Sequence, residues 1–374
     1  MTHTVPVAAD MLWPDRSHAL RAVPAGRRAD YEFLRDNHLV DELRWRGYSV
    51  EIWETDVAAL GARNGRDAAC FLEAIPVDFA SRTTEWTAAA LRDAALHLIE
   101  IQLFCLARGA MLRELQADSI QFRAGRPVQV DLLAFGRRSD DAAASFLESF
   151  RALYLQPLGL DLDTLSQGGL PSRLEGMAAR LSALALSSEA GGTVAEGRDD
   201  PQEQGRRKFV ADFVRRARPG LLFDLHAGDG RFGRLALASG ARSVVGLEPD
   251  RAAAEISYEI ARAKGLRLLP LVVGGLDPAR CRPGDAGAAV LALRPGQGSL
   301  PFDERALDDR VAAAMSLAPR GVIECAAAPS LPDAPEVARQ AIARRGRILH
   351  ELTLEAQGEA RRAVLIAFER SCAG

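Results

Sequence analysis

The sequence of 374 residues predicts an α/β protein: a seven-stranded, mostly parallel sheet in its C-terminal half, preceded by an α+β domain. Three observations predict it. From residue 205 onward, β-rich runs alternate with amphipathic helical segments. A glycine-bearing turn joins a strand that ends in an acidic residue to a helix within Leu221–Asp250. A small, polar run over 187–205, from Ser187 to Gly205, has no apolar period and reads as a linker. The domains expected are therefore 1–186, an N-terminal α+β unit that binds substrate or a partner, and 206–374.

The central stretch reads LLFDLHAGDGRFGRLALASGARSVVGLEPD. Leu221-Leu222-Phe223 ends in Asp224, small residues follow at Ala227, Gly228 and Gly230, and the helix carries Phe232, Leu235 and Leu237. A second strand, Ser243 to Leu247, ends in Glu248, 18 residues after Gly230. Glycines let a backbone turn sharply and approach a ligand, and the free N–H groups of a helix start can meet polar ligand atoms. A carboxylate about 20 residues on can accept hydrogen bonds from a ribose diol. Gly228, Gly230 and Gly233 formally satisfy G-x-G-x-x-G, so spacing alone admits a dinucleotide as well as S-adenosylmethionine (SAM).

Asp224 with glycines four and six residues on resembles the first motif, D-x-G-x-G-x-G, of class I SAM-dependent methyltransferases; His226 stands where that motif has its first glycine. The resemblance implies a Rossmann-like sheet of the class I methyltransferase type. It also implies SAM as cofactor, held by Asp224, His226, Ala227, Gly228, Gly230 and Glu248.

The seven strands are expected at 221–226, 243–248, 267–274, 288–293, 321–326, 348–354 and 363–369. The last two lack a helical insert and read as an antiparallel hairpin at a sheet edge. Where the family places an acidic residue after the third strand, this chain has Gly274-Gly275, with Asp277 three residues late. Arg294 and Gln297 after the fourth strand and Glu324 in the fifth are the substrate-site candidates, since Arg and Gln can fix anionic or amide groups. No catalytic base is assigned.

In the N-terminal part, residues 1–30 read as an extended or weakly helical leader, Tyr31–Leu43 as a helix and Tyr48–Trp53 as a strand. Phe71–Val77, interrupted by Pro76, reads as a boundary or edge element. A strong helix runs from Leu91 to Leu106, and Ser119–Asp131 reads as a β-hairpin around Gly125. Phe146–Tyr154 and Leu174–Leu186 add helices.

The hairpin sequence LQADSIQFRAGRPVQVDLLAFG resembles the domain in front of nodulation-type methyltransferases. It is also similar to the metal-binding hairpin of kinase-like phosphotransferases. There Asp131 fits the metal position, but Ser119 replaces the asparagine, no catalytic Asp lies suitably upstream, and neither a glycine-rich phosphate loop nor a strand lysine occurs in the first 200 residues.

Apolar residues are 48% and charged residues 26%, ordinary for a globular chain. A net charge of -3 gives no general attraction to nucleic acid or anionic membrane. The five cysteines, Cys70, Cys105, Cys281, Cys325 and Cys372, are scattered, with neither a disulfide framework nor a metal-ligand spacing. Neither a signal sequence nor ~18 continuous apolar residues is present, and a cytoplasmic location is expected.

Three functions remain open. The first is a SAM-dependent methyltransferase acting on a small molecule in bacterial specialised metabolism. The second is a methyltransferase-like scaffold with an eroded SAM site, repurposed for displacement or cyclisation on an anionic substrate held by Arg294 and other arginines. The third is a non-catalytic protein partner subunit. Fold alone cannot choose among them.

Overall fold

The computed structural model describes residues 11–12, 19–55, 68–113, 115–160, 168–184, 201–275, 287–293, 303–326, 331–354 and 363–371. The chain divides into two compact units, Met1–Leu186 and Ser187–Gly374.

In the first unit, strands β1 (Met11–Leu12) and β2 (Ala19–Pro24) precede helices α1 (Arg28–Asp36) and α2 (Leu39–Trp45) and strands β3 (Ile52–Thr55) and β4 (Ala68–Ala74). The four strands form a sheet in the order β1-β2-β4-β3. Residues 19–24, expected in an extended or weakly helical leader, are thus a paired strand. The single helix expected over 31–43 is two, broken where His38 takes a left-handed backbone with φ 59°. β4 is an interior strand, hydrogen-bonded to β2 and β3, and not the edge element expected. Pro76 lies beyond its last residue and so removes no donor from the ladder.

Helix α3 (Ala88–Leu106) is N-capped by Thr87, whose hydroxyl accepts the Ala90 N–H at 3.1 Å. Strand β5 (Ala110–Leu112) follows the left-handed Gly109. The expected hairpin is present as β6 (Ile120–Arg123) and β7 (Arg126–Gln129). Its two turn residues, Ala124 and Gly125, both have positive φ, as a tight hairpin requires. Strand β8 (Phe135–Arg137) pairs with β5, and α4 (Asp140–Phe150) and α5 (Leu170–Ala183) complete the unit. Asp131, at the hairpin's end, accepts from the Arg21 guanidinium and from the Leu133 N–H with the same oxygen.

The second unit opens with α6 (Pro201–Ala217). It begins inside the stretch expected as linker to residue 205, because Glu203 and Arg206, polar and therefore without an apolar period, are buried in ion pairs. There follow β9 (Leu221–Leu225), α7 (Arg231–Ala238), β10 (Ser243–Leu247), α8 (Arg251–Ala263), β11 (Leu268–Leu271), β12 (Ala288–Ala292), α9 (Glu304–Leu317), β13 (Arg320–Ala326), α10 (Ala334–Ala343), β14 (Gly346–Leu354) and β15 (Ala363–Arg370). All seven expected strands join one sheet in the order β11-β10-β9-β12-β13-β15-β14. β9 to β13 are mutually parallel, and β15 runs antiparallel to both β13 and β14. The last strand is therefore inserted beside β13, and β14 occupies the edge.

Side chains alternate across the strands, so Leu222, Leu291, Val322 and Leu365 point to one face. There they meet Val210, Phe213 and Val214 of α6, Phe232 and Ala236 of α7 and Ala261 of α8. Phe223, Val245, Val290 and Ile323 point the other way and are equally buried. Asp224, Glu248 and Glu324 share the parity of the first face, and the fold thus brings three carboxylates to its carboxyl-end rim.

Close strand packing constrains Gly321. A Cβ there would stand 2.6 Å from the Val290 carbonyl oxygen and 2.7 Å from the Phe368 ring. Gly321→Ala is expected to lower the free energy of unfolding by about 1–3 kcal/mol. Urea denaturation reads this directly, and an unchanged midpoint would contradict the packing.

Candidate functional site

The residues expected to hold a cofactor lie at the carboxyl ends of β9 and β10. In the parallel register Gly246 stands opposite Asp224 and Leu247 opposite Leu225. At Gly246 the packing is tight, because a Cβ there would meet the Ala227 Cβ at 3.1 Å. The turn after β9 alternates in handedness: His226, Gly228 and Gly230 have φ of 59°, 57° and 78°, while Ala227 and Asp229 are not left-handed. Ala227 is buried, and its N–H donates to the Leu247 carbonyl at 3.1 Å. At Gly230 a Cβ would strike Ser257 Oγ at 2.2 Å, so tight packing against α8 excludes a side chain. At Gly228 the situation is the opposite: among the described residues nothing lies within 4 Å of where a Cβ would stand. The His226 imidazole therefore does not plug the space over Gly228.

Glu248 is 8% exposed, and its carboxylate holds the turn in place. Oε2 accepts the Gly228 N–H at 2.7 Å, and Oε1 accepts the Asp250 N–H at 2.9 Å. Each oxygen keeps further acceptor capacity. Asp224 is 2% exposed, and its Oδ2 has no hydrogen-bond partner. Burial is the main cause that pushes its carboxyl up to about 7; the Gly233 N–H opposes the shift, and Glu248 and Asp229 add to it. The two acidic tips are thus adjacent, and they differ in their partners: Glu248 bonds to backbone through both oxygens, whereas Asp224 keeps one oxygen unpartnered.

Glu324 does not face the rim as a free carboxylate. It is 2% exposed, and Oε1 accepts from Arg206 Nε at 2.9 Å and Nη2 at 2.8 Å. Arg206 also meets Glu203 at 3.6 Å, and Arg231 at the start of α7 meets Glu203 at 3.5 Å. Arg294 and Gln297 lie outside the described residues, as does Asp277.

One residue absent from the sequence reading, Arg310 of α9, comes to the same rim. Its guanidinium donates to the carbonyl of Ala292, the last residue of β12, at 2.9 Å and to that of Glu324 at 3.4 Å. Burial lowers its pKa, against the opposing influence of Cys325 and Glu324. His226 is pulled below the usual histidine value by loss of water and then by the Arg310 charge, with Glu248 acting the other way. A signal for Arg310 existed in the sequence. It falls on the apolar stripe of α9 with Leu307, Val311 and Ala314, where a charged side chain must be accounted for.

A cleft of ≈ 420 Å³ lies at the opposite end of the sheet, lined by Phe209, Phe213, Arg216, Arg320, Arg347 and Glu369 among others. Its arginines are engaged: Arg320 and Arg347 with Glu369, and Arg216 with His350. Among the described residues no group of three His, Cys, Asp or Glu side chains is placed to hold a metal ion, and no helix is long and apolar enough to cross a membrane.

The strand order, with the reversed strand inserted next to the edge, makes the second unit a Rossmann-like α/β fold of the class I methyltransferase type. No family model matches the sequence, and no curated protein matches it. Solved structures similar to the chain include the magnesium protoporphyrin IX methyltransferase of Synechocystis PCC 6803 with bound S-adenosylhomocysteine. It is 14% identical over 47% of this chain and 90% of that one, with a TM-score of 0.37. The N-methyltransferase NodS from Bradyrhizobium japonicum WM9 is 10% identical over 46% of this chain and 98% of its own, also with a TM-score of 0.37. At such distances they say nothing of the ligand of this chain.

Two predictions follow from the geometry of the turn. The Asp224 pKa is raised above its unfolded value, so its contribution to stability is fully present below about pH 4. It is lost as pH rises through about 7. Relative to Asp224→Asn, which does not titrate, the protein is expected to lose up to about 4 kcal/mol between these limits. Urea melts of both proteins across that range check the sign, and a difference independent of pH would contradict it. His226→Gly removes a side chain from a left-handed position and is expected to raise stability by about 1 kcal/mol; a lower unfolding midpoint would show instead that the imidazole makes a stabilising contact.

Proposed function

We propose that the protein is a SAM-dependent methyltransferase acting on a small molecule, in bacterial specialised metabolism. The observation that carries the reading is the pairing of an open space over Gly228 with the Glu248 carboxylate, fixed at the tip of the neighbouring strand. The residues present fit the cofactor in two respects. Glu248 retains lone pairs to accept from a ribose diol, and the side-chain-free backbone at Gly228 allows close approach. When bound, SAM supplies a methyl group on a sulfonium, open to direct displacement.

The chain's own contribution is positioning. Glu248 orients the sugar while its bonds to Gly228 and Asp250 keep it from swinging away. Asp224, buried behind the turn, presents a carboxyl oxygen without a protein partner. Displacement of a methyl group needs chiefly alignment of the reacting atoms, so the lack of an assigned base at the rim does not count against it. Residues 1–186 are proposed to bind the acceptor or a partner subunit.

A second reading, a repurposed scaffold, is favoured by His226, which occupies a left-handed position that glycine would fill without strain. Calorimetric titration with SAM and S-adenosylhomocysteine separates the two. Saturable micromolar binding is expected, weakened about ten- to a hundred-fold in Glu248→Gln. Absence of heat with either nucleoside would overturn the methyltransferase reading in favour of the repurposed one.

A further inference from the structure

Arg310 has no counter-ion among the described residues. Among the described residues no carboxylate pairs with it. Its two recorded acceptors are main-chain carbonyls, those of Ala292 and Glu324, which orient the guanidinium but carry no net charge. The carboxylate whose charge acts on it, that of Glu324, is already held by Arg206 through two nitrogens. Arg310 is half-buried, and withdrawing a guanidinium from water even in part is costly without an anion, for which the usual remedy is a paired carboxylate or phosphate. Among the described residues the other carboxylates of the rim are placed elsewhere: Asp229 pairs with Arg231 and Arg234, and Asp224 is buried behind the turn. Glu248 is engaged with the backbone of the turn. His226, the titratable side chain that senses both Arg310 and Glu248, is held toward its neutral form.

We propose that Arg310 is the anchor of an oxyanion subsite at the carboxyl ends of β12 and β13, and that the ligand turned over there carries a carboxylate or phosphate. A guanidinium tied to two carbonyls through Nη1 and Nη2 keeps further N–H donors in the same plane, and two of these can match two oxygens of such a group. Two sources share this chemistry: the amino-acid carboxylate of SAM and an anionic group on the acceptor. The assignment rests on the reading above in taking this rim as the ligand site, but the anion subsite can be tested without the methyl donor.

The first measurement is the thermal midpoint of the full chain titrated with inorganic phosphate at constant ionic strength. A saturable rise is expected, with binding weakened about ten- to a hundred-fold in Arg310→Gln, which can still donate to a carbonyl. Arg310→Lys, which keeps the charge and loses the fork, is expected to fall between them. Should the glutamine variant fail to fold, the lysine variant against the native protein decides. No saturable response in the native chain, or an equal response in every folded variant, overturns the proposal.

The second measurement compares S-adenosylhomocysteine with 5′-methylthioadenosine, which lacks the amino-acid end. If Arg310 grips the donor, Arg310→Gln weakens the former about ten- to a hundred-fold and leaves the latter unchanged. If it grips the acceptor, both nucleosides bind the variant normally while phosphate does not, and in either case the subsite stands. Phosphate binding through Arg310 without binding of either nucleoside would remove the methyltransferase reading and leave the subsite.

Discussion

The site depends on one carboxylate that bonds to backbone. Glu248 accepts the N–H of Gly228 from the turn after β9 and the N–H of Asp250 from its own strand end. The first of these bonds crosses from one strand tip to the next, over a turn whose handedness alternates residue by residue. Such a turn has no regular hydrogen-bond ladder to hold it. Charge-assisted bonds to a buried carboxylate are among the stronger interactions available for the purpose. The Ala227 N–H on the Leu247 carbonyl adds a second tie between the same two segments. The space over Gly228 is therefore preformed, since the groups that define it are fixed to one another.

Charge at the rim is divided unequally. Asp224 lies deep enough that its carboxyl is pushed up to about 7, so it carries only part of a charge at neutral pH. Glu324 is neutralised by Arg206, which bridges on to Glu203 and through it to Arg231 at the start of α7. That chain of ion pairs connects α6 to β13 and to the glycine turn, and gives α6 a structural reason to bury two charged residues. What remains at the rim is one carboxylate beside Gly228 and one guanidinium beyond β12.

Much of this was legible in the sequence, and what was not has physical causes. The strands of the second unit announce themselves as β-branched or apolar runs, and the spacing from Gly230 to Glu248 is set by the helix that must fit between them. The placement of β15 between β13 and β14 was not legible. The antiparallel β14–β15 hairpin at the sheet edge was legible from the missing helical insert; which of its strands meets β13 is decided by pairing alone. Helix α6 was obscured because Glu203 and Arg206 replace apolar residues on its buried face, where ion pairs do what hydrophobic side chains do elsewhere. Glu324 looked like a free site carboxylate because nothing local reveals a partner 118 residues away on the chain. Pro76 misled in the first unit, since a proline two residues past a strand's end has no effect on its ladder.

His226 shows how a departure from a motif is to be weighed. The backbone there is left-handed, at a cost of about 1–2 kcal/mol for a residue with a Cβ. A glycine would remove the cost, so strain alone does not explain the histidine. Its side chain is exposed at the rim and senses both Arg310 and Glu248, the two charges that remain there. Because Arg310 lowers its pKa while Glu248 raises it, anything that neutralises Arg310 shifts His226 toward the charged form. An anion at Arg310 would thus ease protonation of an imidazole one strand away, which gives the strained position a reason to hold a histidine.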